Sequence, residues 1–496
     1  MSEELPTGWT TCFLGDVADI SDSEREPVNS SMRKVRIEGK PSNELYPYFG
    51  ATGQVGWIDS FRSEGEAILL GEDGAPFLDS SKDKAFLVQG QYWVNNHAHI
   101  LRGANALINN RFLCYQLNIT DYHPFVSGST RLKLTNAAMK QIPLVIASTN
   151  EQTRIVAKLE ELLSDLDAAV AELKAAQKKL AQYRQALLKA AVEGTLTAAW
   201  RAAQTAPQET GAQLLTHILI ERRQRWQQKQ LAKFKAQGKT PPQDWQDKYP
   251  EPQPPDTTDL PDLPEGWTWA SLDQVFVVER GRFSVRPRND PRYYGGSIPF
   301  VQIGDLPREG GAIHNYHQTL NDAGLGVSKM FPLGTVLIAI VGATIGNTGI
   351  LSFDSCCPDS LVALQSSSPV LLKFVELFLR TLKYSLRSVA SASGGQPNIN
   401  LELLQPLAFP LPPLSEIEAI VNFAEKQLSV AEHIAMEIET KMKTAHALRQ
   451  VVLRSAFCGQ LVAQDPHDEP ASVLLERIRA ARATQSKPRK GGGKKE

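Results

Sequence analysis

The amino-acid sequence predicts an α+β protein in which two mixed α/β domains are joined by two long antiparallel coiled-coil helices, with an internal pseudo-two-fold repeat. Three observations support this fold class. Residues 5–9 (LPTGW) return as residues 263–267 (LPEGW). Residues 194–196 (GTL) return as residues 459–461 (GQL), at an offset of 265. A sustained heptad pattern precedes residues 194–196 and again precedes residues 459–461. Motifs that return in the same order indicate an internal repeat.

Size and composition are typical of a globular protein with several domains. At 496 residues the chain exceeds what one core supports, so about two to four domains are expected. Its 42% hydrophobic and 22% charged residues are ordinary for such proteins. The formal net charge of −1 excludes a protein that grips nucleic acid by bulk positive charge alone. Any DNA contact must therefore come from local patches or need help from partners.

The sequence contains no signal for export or membrane insertion. The longest apolar run, residues 334–341, is far too short to span a bilayer and is typical of a buried strand. Residues 1–4 (MSEE) are acidic and begin no apolar signal core. The five cysteines lack regular spacing, which fits a reducing compartment. We therefore expect a cytoplasmic protein.

Residues 1–148 form the first predicted domain. Short runs rich in aromatic and β-branched residues alternate there with Gly and Asn turn signals. Residues 48–59 predict a strand, a Gly turn and a second strand. Residues 67–70 and 98–101 predict further strands. This pattern indicates a mixed α/β or mostly β domain.

Residues 149–194 form the first predicted long helix. Thr149 and Gln152 stand in capping-box spacing at its start, and Gly194 suits the left-handed residue that closes a helix. At about 1.5 Å per residue, roughly 42 residues span about 63 Å. The apolar seam follows a 4-3 spacing at Ile155, Leu159, Leu162, Leu166, Ala169, Leu173, Ala176, Leu180, Tyr183, Leu187 and Ala190.

Residues 195–262 predict a basic helix followed by a Pro-rich acidic segment. The helix covers residues 213–235. Its basic face consists of Arg222, Arg223, Arg225, Lys229, Lys233 and Lys235. The Pro-rich segment forms either a free linker or an extended strap over a surface.

The second copy repeats this order. Residues 263–411 form the second predicted domain and residues 412–459 the second long helix, with Ser415 and Glu418 in capping-box spacing. Residues 460–496 predict a short helix and a basic disordered tail. We expect the two long helices to pair antiparallel. The alternative is that each helix pairs with another subunit.

No catalytic or metal site is assembled in the sequence. A P-loop requires a Lys that residues 342–347 lack, and the Asn-Pro-Pro-aromatic tetrapeptide of amino-methylating enzymes is absent. His97 and His99 could share one strand face, but no third metal ligand stands nearby. Asp359 lacks a recognisable His partner. We therefore expect no catalytic residue, no metal and no cofactor on this chain.

The doubled frame resembles the specificity subunit of type I restriction-modification systems. In the first copy the matching positions are residues 5–9, 50–53, 56, 142–143, 150–152, 154–156, 184–185, 187–188, 191 and 194–197. In the second copy they are residues 263–267, 342–346, 395–398, 410–414 and 459–461. The likeness covers nearly the whole chain. Each motif is short, but the doubled order is specific, and the second copy departs where Ile417 replaces the Gln152 of the first.

The resemblance implies a DNA-binding specificity subunit that is not itself an enzyme. Its two target-recognition domains would each read one half of a bipartite, asymmetric double-stranded DNA sequence, and the coiled coil would act as a ruler. DNA methylation would be done by methyltransferase (modification) subunits, two in number, with S-adenosylmethionine bound to them. A restriction/motor subunit would translocate and cleave DNA, as in phage defence.

Side chains that could read DNA lie in polar, Gly-containing loops of both domains. Arg, Lys, Asn, Gln and Thr bond base edges, and Arg, Lys and Ser bind phosphates. The first-domain candidates are Thr52, Gln54, Asn96, His97, Thr130, Arg131 and Lys133. The second-domain candidates are Arg280, Arg282, Arg286, Arg288, Thr344, Asn347, Gln396 and Asn398. For each, the alternative is a solvated loop side chain or a turn hydrogen bond. Trp9, Trp57 and Trp267 are expected in the core rather than stacked on bases.

Two other functions fit parts of the pattern. A self-contained restriction or methylating enzyme would need a methylation tetrapeptide or a nuclease carboxylate-Lys cluster, and neither is visible in the sequence. A non-enzymatic coiled-coil scaffold with two protein-binding domains would show no DNA preference even with its partners. Methylation by the purified chain alone would favour the first alternative.

The ruler interpretation predicts the effect of lengthening both long helices. Inserting four residues in each should add about 6 Å, close to two base pairs at about 3.4 Å each. We expect the unread spacer of the DNA target to widen while both half-sites stay the same. Sequencing of methylated sites measures this directly. Altered half-sites with an unchanged spacer would contradict the ruler interpretation.

Overall fold

A computed structural model describes residues 5–205, 209–392 and 398–485. The predicted basic tail lies outside these ranges. Spatial contacts divide the chain into two units, which are described separately. No helix in the described ranges is long and apolar enough to cross a membrane.

Unit 1 combines Met1–Ala176 with Glu437–Glu496. Its strands are β1 (Thr10–Phe13), β2 (Ala18–Ile20), β3 (Tyr46–Gly50), β4 (Gly53–Ile58), β5 (Ser63–Glu64), β6 (Ala67–Gly71), β7 (Ala85–Val88), β8 (Gln91–Val94), β9 (Ala98–Gly103), β10 (Val126–Ser127), β11 (Lys133–Leu134) and β12 (Pro143–Ile146). Its first helices are α1 (Leu14–Val17), α2 (Ser30–Ile37), α3 (Asn110–Ile119) and α4 (Asn136–Lys140). The long helix α5 (Thr149–Val192) starts in unit 1 and continues into unit 2.

Two four-stranded sheets form the domain of unit 1. One has the order β2-β9-β6-β7 and is antiparallel throughout. The other has the order β4-β3-β8-β5, and β3 runs parallel to β8. All five residues of β6 are buried. Since successive side chains of a strand point to opposite sides of the sheet, both faces of β6 are covered. Ile68 and Leu70 pack in one core cluster, and Ala67 and Leu69 pack in another.

Unit 2 consists of Gln177–Met436. Its helices are α6 (Ala198–Ala202), α7 (Gly211–Ala236), α8 (Leu272–Val275), α9 (Asp322–Val327), α10 (Pro369–Thr381), α11 (Lys383–Ala392), α12 (Leu401–Leu404) and the start of α13 (Leu414–Phe457). Its strands are β13 (Thr268–Ser271), β14 (Val277–Arg280), β15 (Tyr294–Phe300), β16 (Ala312–Ile313), β17 (Gln318–Leu320), β18 (Met330–Phe331), β19 (Val336–Ala339), β20 (Thr348–Leu351), β21 (Ser355–Cys356), β22 (Leu361–Gln365) and β23 (Ala408–Leu411). The last helix, α14 (Ala471–Gln485), belongs to unit 1.

The sheets of unit 2 repeat the topology of unit 1. The order β14-β22-β19-β20-β16 contains the counterpart of β2-β9-β6-β7, with one added strand. The order β17-β15-β21-β18 matches β4-β3-β8-β5, and its central pair, β15 and β21, is again parallel. The predicted repeat therefore extends to the order of the strands. The sequences of the two copies match too poorly between the shared motifs to reveal this.

The topology separates two Gly-containing motifs that look alike in the sequence. Residues 50–53 form the turn between β3 and β4, in the sheet with the parallel pair. Residues 342–346 follow β19, in the other sheet. The two Gly-containing motifs therefore occupy different places in the two copies, because similar turn residues serve any tight turn.

Two of the three tryptophans expected in the core are buried there. Trp9 is 8% exposed and Trp267 is 9% exposed. The expectation for Trp57 is wrong, since its side chain is 47% exposed. Trp57 lies on β4, the edge strand of its sheet, where no further strand covers it.

The two long helices have the same length, as the equal offsets predict. Helices α5 and α13 each contain 44 residues. The predicted caps are wrong by one or two positions. Ser148, not Thr149, caps α5 by accepting a hydrogen bond from Glu151 N at 3.0 Å. In the second copy Glu416 N donates to Pro413 O at 3.0 Å, so Ser415 lies inside the first turn.

Within each unit, segments of the long helices pack antiparallel. In unit 1, Ile155 and Leu159 share a core cluster with Phe457, and Asp167 pairs with Arg449 at 2.9 Å. In unit 2 the late part of α5 meets the early part of α13, where Leu188 and Ala191 share a cluster with Ile417, Ile420, Val421 and Ala424. The predicted seam is buried towards the helix ends, and its central positions are half-buried or exposed.

Each domain is completed by a further helix that comes after one of the long helices. Helix α7 packs on the domain of unit 2, where Gly211 N donates to Gly266 O at 2.7 Å. Helix α14 packs on the domain of unit 1, where Ala471 N donates to Gly8 O at 2.8 Å. The repetition of this bond at equivalent positions shows that the closing helix belongs to the repeated frame.

The Pro-rich segment is a strap held by aromatic side chains rather than a free linker. Trp245 stacks on Trp226 of α7 with ring centroids 5.8 Å apart. Tyr249 meets Trp226 edge-on at 5.4 Å, and Phe234 meets Trp245 at 6.2 Å. Such contacts keep the segment on the surface of α7.

A buried carboxylate anchors the start of α13. Glu416, 1% exposed, accepts hydrogen bonds from Arg201 Nη2 at 2.7 Å, Thr197 Oγ1 at 2.6 Å and Trp267 Nε1 at 2.9 Å. Glu151 holds the equivalent place in the first copy and is 4% exposed. No ion pair within 4 Å of Glu151 is present among the described residues. Burial accordingly raises the pKa of Glu151.

This asymmetry predicts unequal effects of two matched substitutions. Glu416→Ala should lower the free energy of unfolding of unit 2 by about 3 kcal/mol, because Arg201 loses its partner in a largely buried site. Glu151→Ala should cost roughly 1 kcal/mol in unit 1, since it leaves no cation unpaired. Urea-dependent amide exchange of the first turns of α13 and α5 measures both effects. Equal losses would contradict the assigned role of Arg201.

Candidate nucleic-acid interface

In both units, loops meet at the same end of an equivalent pair of neighbouring strands, and we call this place a corner. In unit 1, β6 ends beside the start of β9, with Gly71 opposite Ala98. In unit 2, β19 ends beside the start of β22, with Ala339 opposite Leu361. We define the first corner as residues 72–75, 95–97 and 128–134. We define the second corner as residues 280–288, 340–347, 357–360 and 398–399.

Backbone hydrogen bonds hold the loop of residues 128–134 against the end of β6. Gly74 N donates to Leu132 O at 3.0 Å. Leu134 N donates to Glu72 O at 2.7 Å. Loop and strand end therefore form one surface, although they are far apart in sequence.

An acidic side chain, Asp73, organises the first corner. Its Oδ1 lies 2.5 Å from Arg131 Nε, and its Oδ2 lies 3.5 Å from His97 Nδ1. The Arg131 side chain remains 58% exposed. Thr52 and Thr130 line the same open cleft, whose volume is about 670 Å³. The cleft therefore brings four of the predicted candidates together and offers hydrogen-bond donors beside acceptors.

The other first-unit candidates are sequence neighbours of the cleft residues but do not line the cleft. Gln54 Nε2 donates to Gly56 O, in its own strand, at 3.1 Å. Asn96 is exposed in the loop before β9. Lys133 is 52% exposed, with Nζ 3.3 Å from Glu72 Oε1.

A buried histidine ties this loop to the core. His99 is 1% exposed, with Nδ1 2.7 Å from Asp22 Oδ2 and Nε2 3.0 Å from Leu134 O. Both neighbours are oxygen atoms that can accept a hydrogen bond from the ring. His99 is thus engaged on both nitrogens and is not placed to share a metal ion with His97.

The network around His99 keeps its carboxylates ionised. Burial favours a higher pKa for Asp22, but hydrogen bonds from His99 and Asn136 and the charge of Arg25 outweigh it and lower the pKa. The pKa of Glu72 is also lowered, because the hydrogen bond and charge of Arg25 and the charge of His99 outweigh burial. Lowered carboxylate pKa values stabilise the fold above the ordinary carboxylate pKa of about 4, and this stabilisation is lost as the pH falls.

Three loops meet at the second corner through backbone hydrogen bonds. Ile340 N donates to Ser360 O at 3.1 Å, and Ile399 N donates to Ile340 O at 2.9 Å. Val341 and Asn398 form an isolated antiparallel bridge. The turn after β19, the loop before β22 and residue 398 therefore share one surface.

Asp359 collects arginine side chains at the second corner. Its Oδ1 lies 2.6 Å from Arg288 Nη2, and its Oδ2 lies 3.4 Å from Arg286 Nη2. Its backbone carbonyl accepts a hydrogen bond from Arg280 Nε at 2.5 Å. The side chains of Arg286 and Arg288 remain 56% and 49% exposed. Three predicted candidates are thus brought to one carboxyl-bearing residue.

The remaining second-unit candidates make contacts within the protein or lie beside the arginines. Arg282 donates to one backbone carbonyl through two nitrogens, at 2.6 and 3.1 Å. Thr344 Oγ1 donates within its own turn at 3.1 Å. Asn347 Oδ1 accepts from a neighbouring arginine at 3.4 Å. Asn398 is exposed, and Gln396 lies outside the described residues.

Sequence reasoning missed the two aspartates that organise the corners. Asp73 is not among the candidates that the sequence predicts, and Asp359 stands out there only as an acid without a His partner. Asp359 and Arg288 are separated by 71 positions, so no local pattern joins them.

The two corners differ in charge. The first mixes basic and acidic side chains, namely Arg131, Lys133, Glu72 and Asp73. The second contains four arginines, Arg280, Arg282, Arg286 and Arg288, of which Arg286 and Arg288 pair with the carboxylate of Asp359. Arginine donors bind phosphate or the acceptor atoms of guanine, whereas mixed donors and acceptors suit a base edge that offers both.

The chain matches a known family twice. The model of the type I restriction modification DNA specificity domain matches residues 6–177 and 264–440. The specificity subunit of the type I restriction enzyme EcoDI from Escherichia coli is 24% identical over 502 residues, covering 99% of this chain and 98% of the relative. A putative type I restriction enzyme specificity subunit from Haemophilus influenzae is 37% identical over 149 residues, covering 30% of this chain and 36% of the relative.

A solved structure shares the fold. It is described as showing complex assembly and conformational transition of the type I R-M system, and it aligns with a TM-score of 0.59 at 18% identity. The alignment covers 92% of this chain and 99% of the other. This likeness confirms the predicted fold class.

The buried histidine generates a prediction for the first corner. His99→Ala should lower the free energy of unfolding of unit 1 by roughly 3 kcal/mol, because Asp22 loses a partner in a buried site. It should also speed amide exchange in residues 128–134, whose anchor at Leu134 O is removed. Exchange mass spectrometry measures both effects. The control is His123→Ala in the same unit, since His123 is 69% exposed and pairs with Asp121 rather than with residues 128–134. Equal exchange in the two variants would contradict the anchoring role of His99.

Proposed function

Because the chain belongs to the family of type I restriction modification DNA specificity domains, we propose that it reads a bipartite, asymmetric DNA target, with one half-site for each unit. The two family matches support this division, since each covers the domain of one unit. The relatives are named specificity subunits rather than methylating or cleaving enzymes, which supports a role in recognition. The chain would thus select the DNA site on which other subunits act.

One observation carries the proposal. The same corner of the same topology holds exposed basic side chains in both units, but the first corner combines Arg131 and Lys133 with two carboxylates, whereas the second is rich in arginine. A repeated scaffold with unlike corners suits two unlike half-sites. If the corners only stabilised the fold, the shared topology would favour similar side chains at both corners.

The ion pairs at the corners leave the basic side chains available for DNA. A guanidinium has five N–H donors, so an ion pair with one aspartate leaves other donors free for DNA. Arg131 is held through Nε and Nη2 and remains more than half exposed. Each corner therefore presents donors in a fixed orientation without burying them.

Partner subunits complete the proposed function. A formal net charge of −1 supplies little general affinity for DNA. We therefore assign DNA methylation to two modification subunits that bind S-adenosylmethionine, and translocation and cleavage to a motor subunit. Exposed apolar side chains on α13 support docking of such subunits, with Phe423 47%, Val430 51% and Ile434 41% exposed. This division would make the assembled enzyme a restriction system directed against foreign DNA.

Substitution at the first corner tests the proposal. Arg131→Ala should reduce discrimination in one half-site by about 1–3 kcal/mol, because a base-edge donor is lost. The other half-site should stay unchanged, since unit 2 keeps its own corner. Methylation sites are mapped by sequencing in cells that carry the modification subunits.

The matched control is Arg111→Ala in the same unit. Arg111 is 46% exposed and pairs with Glu160, away from the corner. The control should leave the methylated sequence unchanged. If Arg131→Ala altered both half-sites or neither, one half-site for each unit would be wrong.

A further inference from the structure

The donors of the second-corner arginines are used unequally. Arg286 donates through Nη1 to Phe283 O at 3.0 Å and to Val285 O at 2.7 Å, and through Nη2 to Asp359. Within the described part of the chain, Arg288 donates through Nη2 alone, to Asp359 Oδ1 at 2.6 Å. A guanidinium carries five N–H donors, so Arg288 keeps four for another molecule. No described residue accepts a hydrogen bond from Nε or Nη1 of Arg288.

The backbone that carries Arg288 is anchored. The hydroxyl of Tyr294 donates to the carbonyl of Arg288. The Tyr294 ring packs against Phe283, with centroids 5.7 Å apart, and against Phe300 at 6.2 Å. Phe283 is 2% exposed and fixes the start of the loop. Arg288 therefore extends from an ordered aromatic base rather than from a free loop.

We propose that Arg288 reads a guanine in the second half-site and that Asp359 is its positioning residue. This inference rests on the proposed function and adds the base and the two residues that select it. Guanine offers O6 and N7 as neighbouring acceptors, which fit two parallel N–H donors of arginine. Adenine offers N7 beside an amino donor, so the same pair of donors meets one acceptor only.

Asp359 contributes to selectivity in two ways. Asp359 accepts one hydrogen of Arg288 Nη2 and thereby sets the plane of the guanidinium. The other Nη2 hydrogen and Nη1 remain free to donate together to one base. The negative charge of Asp359 also weakens the attraction of the arginine cluster for phosphate at any sequence. Removal of this charge should therefore have opposite effects on discrimination and on general DNA affinity.

The test uses the full-length chain assembled with its modification subunits. Binding is measured on a duplex that carries the mapped target, on duplexes with single base-pair changes in the second half-site, and on a duplex without the target. The parent should disfavour replacement of one guanine by adenine about tenfold to hundredfold. Asp359→Asn should cut this discrimination to about threefold or less and tighten binding to the target-free duplex.

Three further variants separate positioning from charge and folding. Arg288→Ala should lose discrimination at the same base pair, and Asp359→Glu should restore part of it. Asp290→Asn is the matched control, because Asp290 lies in the same loop and pairs with Arg292 at 2.6 Å. It removes the same charge without touching Arg288, so it should leave discrimination at the guanine intact.

Two results would overturn the inference. One is a second half-site in which no guanine is sensitive to Arg288→Ala. The other is an Asp359→Asn variant that behaves like Asp290→Asn. In both cases the parent could still read a bipartite target, so the proposed function would stand. A parent assembly without any sequence preference would instead remove the proposed function itself.

Discussion

Pairing between the first and last strands of each domain is the constraint on which the rest of the structure depends. β1 pairs antiparallel with β12, and β13 pairs in the same way with β23. Each long helix must therefore begin beside the point where its domain began, and a buried glutamate stands at that point in both copies. Helix α7, which comes after α5, packs on the domain of unit 2 through the bond between Gly211 and Gly266. Helix α14, which comes after α13, packs on the domain of unit 1 through the equivalent bond.

This closed frame separates what is repeated from what varies. Strand order, helix length and the closing bond recur because each depends on backbone hydrogen bonds and apolar packing, which tolerate many side chains. The corners lie where strands end and loops meet, so their side chains face solvent and can change without disturbing the core. The fold can thus carry two unlike recognition surfaces on one scaffold.

The charge distribution favours selectivity over general affinity. Basic side chains at both corners are held by carboxylates, Asp73 in unit 1 and Asp359 in unit 2. Under the proposed function, these carboxylates and a net charge near zero should limit binding to phosphate at arbitrary sequences. A specificity protein that works with partner subunits gains from this balance, because its own contacts then contribute mainly to discrimination.

The sequence alone determined the repeat, the two domains, the equal long helices and several strands, because these follow from local spacing of apolar residues and from anchors at one offset. It also located Arg131, Arg286 and Arg288 among the candidates, since basic residues in Gly-containing loops are visible locally. Only the tertiary structure decided which residues share a corner, that Ser148 rather than Thr149 caps α5, and that Trp57 is exposed. The aspartates that orient the arginines were likewise invisible, because hydrogen bonds between residues many positions apart leave no periodic trace in the sequence.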